Sequence, residues 1–96
     1  MLGAKLRQLR VESGLLQREV ASELQVDIAY VSKIENNEKP LSRLHLRKLA
    51  LLFRISEEEL NTFWLADKIL NLTKDESLAN GAIKLAQFVI LKRTKS

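Results

Sequence analysis

The stretch from Gln17 to Asn36, QREVASELQVDIAYVSKIEN, constrains this chain more than any other. Its apolar residues form two short sets, Val20, Ala21 and Leu24, then Val31 and Ile34. Steps of three and four residues put each set on one face of a helix. Val26 plugs the corner between the helices, and Asp27 stands where a side-chain oxygen can cap the second. The small Ala21 sits where the helices cross. Two short helices packed at a steep angle about a tight turn follow from that spacing.

The rest of the chain permits little besides helix. Leu, Ala, Glu, Lys and Arg dominate its 96 residues, interrupted by one Pro and three Gly, and β-branched alternation is absent. A chain of this length supports one modest core, so a single all-α domain is expected. Leu2, Leu6, Leu9 and Val11 mark a first helix that runs to Ser13 and stops at Gly14. The second and third helices span about 16–24 and 28–35. Asn36-Asn37-Glu38-Lys39-Pro40 is a polar loop closed by its proline.

Ser42 caps a fourth helix that carries Leu46, Leu49, Ala50 and Phe53 on one face. Ser56 with Glu59 predicts a capping box opening a fifth, which continues through Trp64 and Leu70 to about Leu72. A sixth begins at Thr73 or Asp75 and ends near Arg93, with a frayed tail from Lys92 to Ser96. Its apolar residues are Leu78, Ala82, Ile83, Leu85, Ala86, Val89 and Ile90.

The outer face of the third helix has a different character. Ile28, Ala29, Ser32 and Lys33 fall on one outward stripe, short and lightly charged enough to lie in a DNA major groove. Ile28 offers an apolar contact to a thymine methyl, and Ala29 permits close approach. Ser32 can pair with several base edges, while Lys33 can donate to guanine. Tyr30 reads either as a phosphate contact through its hydroxyl or as a half-buried core residue. Asn36, Asn37 and Lys39, with Arg43 opening the fourth helix, read as a phosphate clamp or as a solvated loop.

These residues carry a family resemblance. Leu6 and Arg10, then Gly14, Gln17, Val20-Ala21 and Val26, continue through Ile34-Glu35-Asn36, Pro40 and Leu46-x-x-Leu49-Ala50. Over residues 3–55 the pattern resembles the lambda-repressor-like, XRE-type helix-turn-helix regulators of bacteria and phages. It also looks like the small controller regulators found beside restriction-modification genes. The resemblance implies a five-helix DNA-binding core with an additional C-terminal helix. It implies that Gln17 meets a DNA phosphate at the start of the second helix, with Arg18 beside it either on the same strand or solvated. It also implies a partly buried salt bridge between Arg10 and Glu35, a structural pair rather than a DNA contact. Two departures stand out: Gln25 occupies a turn position often held by Gly, and Arg54 stands where a Gly commonly ends the fourth helix. Left-handed geometry at Gln25 would cost about 1 kcal/mol.

Charge placement agrees with a phosphate-facing surface. Residues 1–54 hold ten Lys/Arg against six Asp/Glu, whereas residues 55–96 hold six of each. Nothing points to catalysis or to a cofactor. Cysteine is absent, His45 is the single histidine, and Glu57-Glu58-Glu59 suit a helix start better than a catalytic role. Neither an apolar run of membrane-spanning length nor a signal-peptide h-region is present, so a cytoplasmic protein is expected. No small-molecule effector is evident.

The DNA-binding core of such a family would be complete near residue 65, leaving 66–96 as an extension of the same compact unit. One chain offers one recognition helix, and a two-fold homodimer on palindromic double-stranded DNA doubles the contacts. Phe63, Trp64, Ile83, Ala86 and Val89 are the expected seam. Two alternatives stand beside it. The last helix can fold back on its own core, or it can bind a different protein, as in an antitoxin whose helix-turn-helix serves autoregulation.

Overall fold

A computed structural model describes residues 1–94 and contains six helices and no strand among them. They are α1 (Leu2–Glu12), α2 (Gln17–Leu24), α3 (Ile28–Glu35), α4 (Arg43–Phe53), α5 (Glu57–Thr73) and α6 (Ala79–Thr94). The first five surround one core, in which α3 packs on α1 and α2, α4 on α2 and α5, and α5 returns to α1. Leu46, Leu49 and Leu60 are fully buried at its centre. Burial of each such side chain is worth about 1.5–3 kcal/mol, which helps hold α4 against α5 and against α2.

The turns follow local chemistry in most places. Gly14 adopts φ 69°, and Gln25 takes the left-handed conformation, φ 58°, that the tight turn demands. Arg54 does the same at φ 54° to end α4. The Ser42 Oγ accepts from His45 N at 3.2 Å, and the Ser56 Oγ accepts from Glu59 N at 3.3 Å.

Several expectations are corrected. Ser56 and Glu59 form only half of a capping box; the return bond occurs instead at α2, where Leu16 N donates to Glu19 Oε1 at 2.9 Å. Asp27 occupies the N-cap position of α3, but its side chain makes no capping bond. The sixth helix starts at Ala79, because Asp75 takes φ 63° and breaks the chain direction after α5. Lys92, Arg93 and Thr94 are helical; the remainder of the expected frayed tail, Lys95 and Ser96, lies outside the described residues.

The C-terminal segment is the largest difference. The expected boundary at 65/66 falls inside the continuous α5, and Asp67 Oδ2 accepts from Leu2 N at 2.8 Å. Helix α6 buries no residue and is not folded back on the core. The radius of gyration, 15.6 Å, accordingly exceeds the roughly 12.5 Å of a compact chain this long.

Candidate nucleic-acid interface

The candidate interface is built outward from one partly buried charge network. Arg10 grips Glu35 with two parallel bonds, Nε to Oε2 at 2.6 Å and Nη2 to Oε1 at 3.1 Å. Its third nitrogen, Nη1, donates to the Leu15 carbonyl at 3.0 Å. Side-chain exposures of 13% for Arg10 and 6% for Glu35 remove the pair from most of the solvent. The planar guanidinium matches the carboxylate geometrically, so the ends of α1 and α3 are held in one orientation.

Gln17 joins this network, its Nε2 donating to Glu35 Oε1 at 3.1 Å. The first turn of α2 is thereby set relative to α3. The backbone N–H groups of Gln17 and Arg18, at the helix start, have no intrahelical acceptor and remain for a solvent or phosphate oxygen. Arg18 is exposed beside them.

Helix α3 divides cleanly into two faces. Val31 and Ile34 are buried, whereas Ile28, Ala29 and Lys33 are exposed. Ile28 retains 52% exposure and has no part in the core. Ser32, on the same stripe, is half-buried. The three outermost residues thus form a low ridge of small, apolar and cationic groups, with dimensions that a major groove admits.

The loop after α3 is pinned by side chains from three directions. The Tyr30 hydroxyl donates to the Pro40 carbonyl at 3.0 Å, and its half-buried ring meets His45 edge-on at 6.0 Å. Trp64 Nε1 donates to the Leu41 carbonyl at 2.8 Å. Gly3 N donates to Asn37 Oδ1 at 2.9 Å, with Asn37 at φ 59°. Asn36, Asn37 and Lys39 remain exposed on this loop, and the exposed Arg43 rests over the Trp64 ring, 4.7 Å from its centroid.

The five seam residues are not brought together. Phe63 and Trp64 are half-buried and pack against their own core. Ile83, Ala86 and Val89 lie exposed on α6. The contributions of Gly3 and of the Trp64 indole N–H were not read from sequence. Gly3 interrupts an otherwise regular helix start, which is a usable signal; the Trp64 bond to a residue 23 positions away left none. His45 Nδ1 is buried without a partner, and no group of three potential metal ligands exists among the described residues.

The helix-turn-helix family model matches residues 6–60, more than half of the chain and the whole of this network. The chain belongs to the helix-turn-helix family. Its type within the family is the lambda-repressor-like, XRE type, a family of DNA-binding transcriptional regulators. A relative described as a propionyl-CoA carboxylase regulator, from Cereibacter sphaeroides, is 40% identical over 60 residues. That match takes in 62% of this chain but only 13% of the relative's length. A chain of the SinR protein/SinI protein complex matches over 100% of both chains, with a TM-score of 0.57 at 22% identity. At that identity the likeness is one of fold, and it includes the helices that follow the helix-turn-helix core. No described helix is long and apolar enough to cross a membrane.

Proposed function

We propose that this chain is a sequence-specific transcriptional regulator that binds a palindromic operator as a homodimer. The observation that carries the reading is the outward ridge of α3. Ile28, Ala29 and Lys33 serve no packing role, yet the partly buried Arg10–Glu35–Gln17 network holds their helix in place. In this reading Ile28, Ala29, Ser32 and Lys33 contact bases. Gln17 and Arg18 meet one backbone segment; Tyr30, Asn36, Asn37, Lys39 and Arg43 meet the other. Tyr30 and Asn37 act there with one hydrogen-bonding group already engaged to the protein.

The exposed apolar face of α6 supports the dimer. Ala82, Ile83, Ala86, Val89 and Ile90 share one face, where small alanines allow a second helix to approach. Ile83 and Val89 are 41% and 48% exposed in the single chain, which favours cover by another molecule. Phe63 and Trp64 would contribute through the surface they leave uncovered. A second copy is the simplest cover, because it also supplies the second half-site contact.

Leu85 and Phe88 expose another apolar side of the same helix, and this favours a second reading. In it, the C-terminal helices hold a different protein and the DNA contact serves autoregulation. The chain that shares this fold comes from a complex of two proteins, SinR and SinI, in line with such an arrangement. Recovery of genomic DNA bound to the protein, combined with sedimentation of the free chain, separates the readings. A shared palindromic motif and a dimer support the regulator. Absence of any enriched motif, with a monomer at tens of micromolar, overturns it.

A further inference from the structure

Two cations lie against one indole ring beside the candidate interface. Arg43 Cζ is 4.7 Å and Lys68 Nζ 4.4 Å from the Trp64 ring centroid. Arg43 opens α4, whereas Lys68 lies one turn beyond Trp64 on α5, so the ring joins charges from two helices. Both are exposed, and neither forms an ion pair among the described residues. Asp67, the carboxylate next to Lys68 in sequence, is taken up by Leu2 N and the Met1 ammonium. Glu38 lines the cleft beside Lys68 without pairing to it.

The ring is itself held in place. Its Nε1–H is committed to the Leu41 carbonyl, and its body packs on the core. A cation over such a ring is steadied by the π face while its N–H groups stay free to bond outward. Lys68 and Trp64 also line a cleft of about 510 Å³ with Lys39 of the α3–α4 loop. Lys39 on the α3–α4 loop and Lys68 on α5 thus line one cleft, and Arg43 shares the Trp64 ring with Lys68.

Resting on the DNA reading above, we propose that Lys68 is a further phosphate contact and that Trp64 is its positioning residue. The DNA backbone would thereby engage α5 as well as the loop. Asp67 is engaged at the N-terminus and Glu38 pairs with neither cation, so the two ring-held charges favour a polyanion, and neutralising a phosphate releases a condensed counter-ion. No base edge is involved, so the contact is indifferent to sequence.

The test is the salt dependence of binding to a mixed-sequence DNA duplex, read from the emission of Trp64, the chain's single tryptophan. Lys68→Gln should lower the slope of log affinity against log salt by about one unit. Lys84→Gln, on the outlying α6, should leave that slope unchanged. Trp64→Phe, followed by anisotropy of labelled DNA, retains the ring and should keep most of the Lys68 contribution. An unaltered slope in Lys68→Gln while the wild type binds overturns this inference alone. Equal losses in Lys68→Gln and Lys84→Gln overturn it too, because they mark a general charge effect. A wild-type protein that binds no duplex removes the DNA reading and this inference with it.

Discussion

Gly3 and Asn37 meet so closely that no side chain fits between them. Gly3 N donates to Asn37 Oδ1 at 2.9 Å, and a Cβ on Gly3 would stand 2.6 Å from that same oxygen. The carbonyls of Ile34 and Glu35 would be equally near, also at 2.6 Å. The start of α1 therefore rests directly on the end of α3, and backbone oxygens cannot swing aside.

Gly3→Ala should destabilise the fold by about 1–3 kcal/mol, the usual cost of overpacking, despite the better helix propensity of alanine. Urea denaturation measures it. An unchanged or raised midpoint would mean that α1 can shift without loss.

Arg10→Ala should cost about 3–5 kcal/mol, because it strands the Glu35 carboxylate at 6% exposure. Adding Glu35→Ala should recover part of that loss, so the double variant is less destabilised than the two singles predict. Strict additivity in a double-mutant cycle would remove the pair from its structural role.

Lys33→Ala should weaken the true operator by about 1–3 kcal/mol and relax preference at one base pair. Its exposed place on the outward ridge of α3 is the reason. Competition among single-base operator variants is the measurement, and unchanged selectivity would take Lys33 out of the readout set.

Lys39→Ala should act differently, weakening all sequences alike and flattening the salt slope by about one unit. The loop that carries it is anchored by Tyr30 and Trp64, so the side chain is presented from a fixed backbone. Altered base preference with the original slope would contradict a phosphate role.

Deleting residues after Leu72 should leave the five-helix core intact, since α6 buries nothing against it. Operator affinity should fall sharply, because two recognition helices about 34 Å apart would no longer be linked. Sedimentation and thermal denaturation of the shortened chain provide the check. A shortened chain that remains dimeric would place the seam elsewhere.

Features that depend on neighbours a few residues away can be read along the chain. Helical period, the Ser42 and Ser56 caps and the left-handed Gln25 were legible because each is settled within about one turn of chain. The inward and outward faces of α3 were legible for the same reason. Periodicity could not show that Asp27 would leave its cap unmade, or that Asp75 would turn the chain and delay α6 to Ala79. The apolarity of Trp64 is visible in sequence, while its bonding partner is not. Only the packing of α5 against the loop brought its N–H to Leu41 and its ring beneath Arg43. The same holds for Gly3 on Asn37 and for Tyr30 on Pro40. These contacts join residues 10 to 34 positions apart, where the side chains at each end carry no local mark of the other. Hydrogen bonds and close packing require particular distances, and those arise only once the helices have been placed against one another.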